Sequence, residues 1–529
     1  MSSLPRRRRD LDVTPRLPLP PGPVSNGEFV PGPASAADAD LAGLMRTLTD
    51  DAARRVGLDR RRFLHTAGGV AASLAAINLA ACAGRRRAVP SAAGPAPAAT
   101  TGAPSRPGDS AGQAGGAYTV PPPTDEAACQ SILGSQGELV VDTHTHHVMP
   151  SGPWRRSAPD TVGLVLGMLP AGCTSPDRLQ CVNRATYLHD VFLASDTTVA
   201  LLSDVPNSGP GDAPLPFADA VGTRQLAAQL TRGGAARVLL HNVIAPNVGA
   251  LGATLDEMSA AAGTGAVAGF KVYTAWNPAG PGWSLTDPNI GLPVIGHAHD
   301  LGVRRFFAHK GLPLVHFDAA HNGPDDLVAV SRQFPDMDFV VFHGAWDPRR
   351  REGPFNPTAT VGIDTLLAAL DRHGVPRNDN VWVDLGTVWR QVLLDPDQAA
   401  HVLGKLLSRV GEDRVLWGTD AVWYGPPQAQ LMAFRAFSIS AAYQQRYGYP
   451  ALTDERKRKI LGLNAARLFG FDPTATWCAL AADPLSAAKA EAAALRTDGA
   501  LGPAWQPNGP TTRADVLSWL GQASGPWAP

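Results

Sequence analysis

Residues 140–146, with the sequence Val-Val-Asp-Thr-His-Thr-His, form a short apolar run that ends in two histidines separated by one residue. Side chains alternate between the two faces of a β-strand, so Asp142, His144 and His146 are expected to lie on one face. Two imidazoles on the same face can bind one divalent metal ion, for which histidine is the commonest ligand. The run therefore predicts a buried strand with a metal-binding end.

Three later apolar runs end in further candidate ligands or proton carriers. These runs are 312–316 with His316, 338–344 with His343, and 414–420 with Asp420. Each has the β-branched and aromatic content of a fully buried strand, and each is flanked by Gly or Pro. Amphipathic stretches occur between them at 326–334, 363–373 and 398–410. This alternation of strands and helices predicts a parallel sheet.

These motifs resemble the amidohydrolase superfamily, in the branch related to aminocarboxymuconate semialdehyde decarboxylase. The residues that carry the resemblance are DTHTH (142–146), LPLVHFD (312–318), FVVFHGA (339–345), LWGTDAVW (416–423) and KILGLNAARLFG (459–470). They follow the family's order and cover roughly residues 138–471. The resemblance implies an α/β fold, a (β/α)8 TIM barrel with its active site at the carboxyl ends of the strands.

Eight strands are predicted in the barrel domain, which is placed at 124–471. Their positions are 138–146, 198–205, 237–245, 266–274, 312–317, 338–344, 381–387 and 414–420. Helices are predicted between them, among others at 217–230, 251–262 and 295–308. Residues 147–183 are predicted to be an insertion after the first strand.

The resemblance implies one divalent ion held by His144, His146, His316 and Asp420. Such an ion lowers the pKa of a bound water from ~15.7 to ~7. Asp420 is expected to hold and deprotonate this water, and His343 is expected to be a second acid/base or electrostatic group. The three imidazoles and one carboxylate favour Zn²⁺, with Mn²⁺, Fe²⁺ or Co²⁺ as alternatives.

Lys271 lies on the predicted fourth strand. In some branches of the superfamily a lysine at this point is carbamylated and bridges two metals, and otherwise it contacts a substrate carboxylate or lines the barrel. A single metal is favoured, with Lys271 as a substrate or supporting residue. Asp142 is expected below the histidine pair in a hydrogen-bonding role. His147 is expected either to support the site residues or to pack in the insertion. Seven further histidines are expected to be structural or exposed: His241, His297, His299, His309, His321, His373 and His401.

Four tryptophans follow the predicted strands four, six, seven and eight by a few residues, at Trp276, Trp346, Trp389 and Trp423. Loops after barrel strands converge on the mouth, so these indoles are predicted to wall the substrate pocket. Arg390 is predicted to pair with an anionic substrate group. This interpretation predicts a ring-containing, carboxylated small molecule, and its alternative is that the tryptophans only cap loops.

The chain before the barrel divides into three predicted segments. Residues 1–58 are rich in Pro, Arg and Ala and lack apolar periodicity, which predicts disorder. Residues 59–82 resemble a twin-arginine export signal, and 79–82 resemble a lipobox with Cys82 as the lipidated residue. Residues 83–123 have the composition of a flexible tether. Together they predict a periplasmic or cell-surface protein, and the alternative is that Cys82 lies near an ordinary cleavage site.

Composition and cysteine content add a few expectations. The net charge of −1 gives no bulk attraction to nucleic acid, so the expected partner is a small-molecule substrate, with membrane contact only through the anchor. Oligomeric state is not assigned. Besides Cys82, four cysteines permit three pairings. A Cys173–Cys181 bridge across the insertion and four free thiols are both consistent with the sequence. Residues 472–529 are predicted to be an extension on the barrel exterior.

The family includes both hydrolases, which cleave C–N, C–O and lactone bonds, and non-oxidative decarboxylases. An exported enzyme is expected to process an external ester, lactone or amide, which favours a hydrolase. A decarboxylase is the first alternative. An inactive, surface-anchored barrel that acts as a binding module is the second, and the presence of every candidate ligand argues against it.

Overall fold

The computed structural model describes residues 17–21, 35–88, 114–169, 173, 175–229, 236–277, 280–314 and 316–481. In chain order its strands are β1 (Gly116–Tyr118), β2 (Val141–His146), β3 (Val199–Ser203), β4 (Val238–Val243), β5 (Val267–Val272), β6 (Arg305–His309), β7 (Asp338–Phe342), β8 (Val381–Asp384), β9 (Val415–Leu416) and β10 (Phe437–Ile439). β2 to β9 form one parallel sheet in the order of the chain.

Hydrogen bonds join the first and last strands of this sheet. Thr143 N donates to Trp417 O at 2.9 Å and Asp420 N donates to His144 O at 2.8 Å. His146 N donates to Ala421 O at 2.6 Å. With helices after successive strands, this is the predicted (β/α)8 TIM barrel, and the fold prediction is confirmed.

The helices of the described chain lie around the barrel and before it. They are α1 (Ala36–Val56), α2 (Arg60–Leu64), α3 (Ala67–Ala88), α4 (Glu126–Leu133), α5 (Trp154–Ser157), α6 (Pro159–Met168), α7 (Arg184–Tyr187), α8 (Phe217–Gln229), α9 (Leu251–Gly263), α10 (Gly291–Asp300), α11 (Asp325–Ser331), α12 (Ile363–Arg372), α13 (Val388–Val392), α14 (Pro396–Arg409), α15 (Gln428–Ala436), α16 (Ala441–Tyr447), α17 (Asp454–Arg458), α18 (Asn464–Phe469) and α19 (Pro473–Ala481). Among the described residues, no helix combines the length and the apolarity that crossing a membrane requires.

The predicted fifth strand at 312–317 is wrong. The fifth barrel strand is β6, seven residues earlier, where Phe307 pairs with Lys271 on one side and with Val340 on the other. A central strand must donate hydrogen bonds to both neighbours, and Pro313 has no N–H to donate. Leu312 also has a φ of 34°, which is incompatible with an extended strand.

The segment before the barrel is more ordered than predicted. Residues 36–56, expected to be disordered, form α1, which begins at a Ser35–Asp38 capping box. α3 is held to the barrel domain, since Glu126 accepts hydrogen bonds from Ala67 N and Gly68 N at 3.0 and 2.8 Å. Part of the predicted tether forms β1, which pairs with β10. Residues 1–16, 22–34 and 89–113 lie outside the described residues, as does the side chain of Cys82.

The insertion after β2 carries α5 and α6 and packs on an apolar cluster beside the barrel mouth. A disulfide joins Cys173 and Cys181, with 5.6 Å between their Cα atoms, so the bridge left open by the sequence is present. Cys129 is buried and Cys478 is exposed, both as free thiols. The C-terminal extension begins with α19, whose Leu480 packs in a barrel cluster, and 482–529 lie outside the described residues.

The lower half of the barrel interior is apolar, with a layer that includes Val141, Leu201, Phe307, Phe342 and Leu416. Close packing of these side chains leaves the polar residues no place except the carboxyl ends of the strands. The fold therefore concentrates the interior histidines and acids at one end of the barrel.

Candidate active site

A cluster of buried polar side chains occupies the carboxyl end of the barrel interior. Its members, each at most 3% exposed, are His144, His146, His241, Lys271, His309, His343, Asp384 and Asp420. Six strands contribute to it within their bounds or at the next residue, and Asp420 follows β9. Charged and imidazole groups buried together at this depth must satisfy one another or bind a ligand.

His146 is held in a single tautomer. Its Nδ1 lies 2.9 Å from Ser203 O, and a carbonyl can only accept, so Nδ1 carries the proton. Nε2 therefore carries the lone pair, and it lies 3.2 Å from Asp420 Oδ1. A hydrogen bond on the outer nitrogen that fixes the inner one is the usual support of a metal-binding histidine.

His144 is oriented in the same way by a carboxylate. Its Nδ1 lies 2.8 Å from Asp384 Oδ2, and its Nε2 lies 3.6 Å from Asp420 Oδ1. Burial, followed by the charge of Lys271, lowers the pKa of His144 well below its ordinary value, which keeps the imidazole neutral. A β-carbon at Gly386 would collide with this ring, so the close approach requires glycine.

Asp384 was not among the predicted site residues, although it lies in the predicted strand 381–387. Besides His144, its carboxylate accepts His343 N at 2.7 Å and Gly386 N at 3.2 Å. Burial, opposed by the charge of His343, raises the pKa of Asp384 to about 7. The Asp384 carboxyl group thus forms hydrogen bonds with residues at the ends of β2 and β7.

The inner atoms of His144, His146 and Asp420 fit a metal ion. Ligand atoms of these three residues lie within 4.8 Å of one another. His144 Nε2 and His146 Nε2 are both buried with no hydrogen-bond partner among the described residues, so two nitrogen lone pairs converge near a carboxylate oxygen of Asp420. Two imidazoles and a carboxylate are a ligand set that zinc and other divalent transition metals accept.

Asp420 is held in place by its own support. Thr387 donates its hydroxyl to Asp420 Oδ2 at 2.5 Å, and Tyr424 OH lies 3.2 Å from the same hydroxyl oxygen. Burial raises the pKa of Asp420, but contact with His146 and the charge of His343 outweigh burial and hold the pKa below its ordinary value. Thr387 and Tyr424 were not predicted.

Three site residues have left-handed backbone conformations, with φ of 62° for His343, 61° for Thr387 and 62° for Asp420. Such conformations cost of order 1–3 kcal/mol in residues other than glycine and concentrate at functional sites. The loops after β7, β8 and β9 are therefore shaped by the site rather than by local preference.

His309 ends the fifth strand and takes the place expected for His316. Its Nε2 lies 3.0 Å from Leu312 O, which leaves the lone pair on Nδ1, and its ring centroid lies 4.5 Å from that of His343. His316 is exposed in the following loop, with its ring 6.0 Å from Trp276. The predicted assignment of His316 as a ligand is wrong, because it rested on the wrong fifth strand.

His343 and Lys271 are brought into the cluster, as the sequence suggested. His343 donates from Nδ1 to Gly386 O at 2.9 Å, and its ring lies 4.8 Å from that of His144. The Lys271 ammonium lies 4.3 Å from the centre of the Phe342 ring and 4.6 Å from that of Tyr273. His241, expected to be structural or exposed, is buried beside these groups.

Asp142 supports the backbone below the histidine pair. Its carboxylate accepts His144 N at 3.1 Å and Thr419 N at 3.0 Å, and also the Thr419 hydroxyl. It therefore fixes the two segments that present His144 and Asp420.

The four predicted tryptophans separate into two pairs. Trp423 lies 5.8 Å from the His146 ring and shares an apolar cluster with Trp276. Trp346 and Trp389 belong instead to the main core outside the barrel, where Trp389 donates to Gln430 O at 2.9 Å. The predicted indole wall is therefore wrong for Trp389 and Trp346, because both rings pack in that cluster.

The sequence model of the family described as Amidohydrolase matches residues 141–471. No curated protein matches the chain. Similar solved structures include 5-carboxyvanillate decarboxylase from Sphingomonas paucimobilis, at 15% identity and a TM-score of 0.41, covering 63% of this chain and 99% of that one. Another is 2,6-dihydroxybenzoate decarboxylase from Rhizobium, at 16% identity and a TM-score of 0.36, covering 64% of this chain and 99% of that one. Identities this low do not transfer a substrate or a reaction. Because the family model spans more than half of the 529 residues, the chain belongs to the amidohydrolase family of metal-dependent enzymes.

Proposed function

We propose that this protein is an exported metal-dependent hydrolase that cleaves a C–O or C–N bond in a small ester, lactone or amide with a ring and a carboxylate. The observation that carries the proposal is the convergence of His144 Nε2 and His146 Nε2 on Asp420 Oδ1, with each Nδ1 already tied down. A site with these donors and space for water activates that water for attack.

His144, His146 and Asp420 would hold the ion, and His309 is the candidate for a fourth position from the fifth strand. A divalent ion bound there supplies a Lewis acid and lowers the pKa of water to ~7. Zn²⁺ is the first choice for this donor set, and Mn²⁺, Fe²⁺ and Co²⁺ suit it as well. One ion is proposed, with Lys271 as a supporting or substrate-binding residue.

The chain's own residues provide the proton transfers. Asp420 is held ionised by its contacts, and Thr387 fixes Oδ2 so that Oδ1 faces the histidines. Asp420 thus accepts the proton of the attacking water. His343 is fixed by Gly386 O through Nδ1, which leaves Nε2 to stabilise the developing oxyanion or protonate the leaving group.

A non-oxidative decarboxylase is the second candidate, and one observation favours it. The Phe342 ring lies 4.3 Å from the Lys271 ammonium and 4.0 Å from the His144 ring, so a positive charge that can attract a substrate carboxylate lies near the proposed ligands. The two reactions differ in their products, since a decarboxylase releases CO₂ and a hydrolase adds water across the broken bond.

Export and lipid attachment are part of the proposal. The side chains of Arg61 and Arg62 are exposed on α2, where a translocation apparatus can reach them. Cell fractionation of the parent, an Arg61→Lys/Arg62→Lys variant and a Cys82→Ala variant tests this. Export predicts cytoplasmic retention of the first variant, and the anchor predicts release of the second from the membrane. A parent that stays in the cytoplasm contradicts export.

Turnover of carboxylated aryl esters, lactones and amides by the metal-loaded full chain is the test of function. Acid release from esters and lactones is followed at constant pH, the amine released from amides is assayed, and CO₂ is measured in parallel, with Asp420→Asn as the inactive control. Hydrolysis predicts acid or amine without CO₂. Stoichiometric CO₂ from carboxylic acids, lost in Asp420→Asn, would replace the hydrolase with the decarboxylase.

A further inference from the structure

Arg390 is a buried cation for which the described residues provide no acidic partner. Its side chain lies on α13 and is 4% exposed, and among the described residues no carboxylate forms an ion pair with it. Nη1 is buried and has no hydrogen-bond partner among the residues that the structure describes. Burial lowers the pKa of Arg390 to about 10. An unpaired buried guanidinium is costly and is ordinarily retained to bind an anion.

Arg390 is separated from the proposed metal-binding residues by the side chain of Tyr424. Its guanidinium carbon is 5.9 Å from the centre of the Tyr424 ring. The Tyr424 hydroxyl lies 3.2 Å from Thr387 Oγ1, and Thr387 donates to Asp420. α13 also begins four residues after the end of β8, at the active end of the barrel. Tyr424 and Thr387 therefore link Arg390 to Asp420 through successive contacts.

Residues 17–21, near the start of the chain, contact the Arg390 side chain. Pro20 O accepts a hydrogen bond from Arg390 Nη2 at 2.8 Å. The neighbouring Leu19 is 1% exposed and belongs to the main core. A carbonyl oxygen satisfies one guanidinium nitrogen but brings no charge, so the described residues leave Nη1 without a hydrogen-bond partner and the positive charge without a counter-charge. A carboxylate would supply two oxygens in the geometry that a guanidinium prefers.

We propose that Arg390 binds the carboxylate of the substrate, and that residues 17–21 of this chain occupy that position and must withdraw before the substrate binds. The identity of the site as catalytic rests on the proposed function. The protein with the segment docked is then a low-affinity state, because an occluded site lowers apparent affinity in proportion to the fraction of molecules that are open.

Benzoate, a monocyclic carboxylate, tests the proposal by calorimetric titration of the full-length, metal-loaded chain. Leu19→Asp places a charge in the core and should displace the segment, which raises benzoate affinity about tenfold or more. A tenfold gain corresponds to about 1.4 kcal/mol. Pro20→Ala keeps the carbonyl and changes only an exposed side chain, so it should bind like the parent.

Adding Arg390→Gln to Leu19→Asp should abolish the gain, and Arg390→Lys should restore part of it. Equal benzoate affinity in the parent and Leu19→Asp, or a gain that survives Arg390→Gln, overturns the proposal. Circular dichroism checks folding, and if Leu19→Asp does not fold, Leu19→Ala should show a smaller gain of the same sign. A folded Leu19→Ala variant with no gain in benzoate affinity would then overturn the proposal.

The titration separates this proposal from the proposed reaction because it needs no turnover. An Arg390-dependent gain in benzoate affinity, with no hydrolysis of any ester, lactone or amide, would leave the occlusion standing and reject the hydrolase. Hydrolysis with the same KM in the parent and Leu19→Asp would support the hydrolase and reject the occlusion.

Discussion

Asp384 Oδ2 lies 2.8 Å from His144 Nδ1, and the same carboxylate accepts the backbone N–H of His343. This one side chain couples the seventh barrel strand to the first and to the sixth. It turns the His144 lone pair toward His146 and Asp420, and so sets the geometry of the proposed metal site from outside it.

Asp384→Asn should weaken metal binding by about 10–100-fold, the usual cost of losing the group that orients a ligand histidine. Competition with a chelator measures the affinity. Asp338→Asn is the control, because Asp338 accepts from Trp382 Nε1 at 2.7 Å at the opposite end of the barrel. Equal losses in both variants would mean that Asp384 has only a general effect on stability.

His309 and His316 provide a direct comparison of the structural and sequence assignments. His309→Ala should lower metal content and activity, since the ring is buried beside His343. His316→Ala should leave both close to the parent, because the side chain is exposed in a loop. Metal content per chain after gel filtration is the measurement. The opposite ranking would restore the ligand set expected from the sequence.

Thr387→Val removes the hydroxyl that donates to Asp420 Oδ2 and leaves a buried carboxylate oxygen without its donor. Hydrogen bonds to charged groups contribute about 1.5–3 kcal/mol, so kcat should fall about 10–100-fold while the chain stays folded. Thr387→Ser retains the hydroxyl and should keep most of the activity. A Thr387→Val enzyme as fast as the parent would show that this contact does not matter for Asp420.

His401 should make stability depend on pH. Burial and then the charge of Lys405 lower the pKa of His401 to about 4 from an ordinary 6.5, and its Nδ1 lies 2.9 Å from Tyr449 OH. The unfolded chain therefore takes up a proton first, and the stabilisation, complete above pH 6.5, is lost as pH falls toward 4. When the pH is lowered from 6.5 to 4, the free energy of unfolding should fall by about 2–3 kcal/mol less in His401→Gln than in the parent. Denaturant titrations of both at each pH measure this, and parallel losses would contradict it.

The barrel could be predicted because strand periodicity and turn residues are local properties. The first strand shows this best, since alternation alone placed His144 and His146 on the interior face. The fifth strand failed because 305–309 and 312–316 are both apolar and both end in histidine. Only pairing with β5 and β7 chooses between them, and pairing is not local.

The supporting residues of the site escaped prediction for a related reason. Asp384 was within a predicted strand, but its role depends on contact with His144, 240 residues away in the chain. Trp389 was placed correctly along the chain, yet the direction of its ring follows from packing against α15. The N-terminal helices have weak apolar periodicity, and α3 is stabilised by contacts such as that of Asn78 with Tyr118 N and O.

Metal content of the purified full-length chain, compared with a His144→Ala/His146→Ala variant, tests the central claim most directly. Elemental analysis should find about one divalent ion per folded parent chain and none in the folded variant. About two ions would assign Lys271 a bridging role instead. A folded parent that binds no ion from a metal-supplemented buffer would contradict the metal site, and the proposed hydrolysis with it.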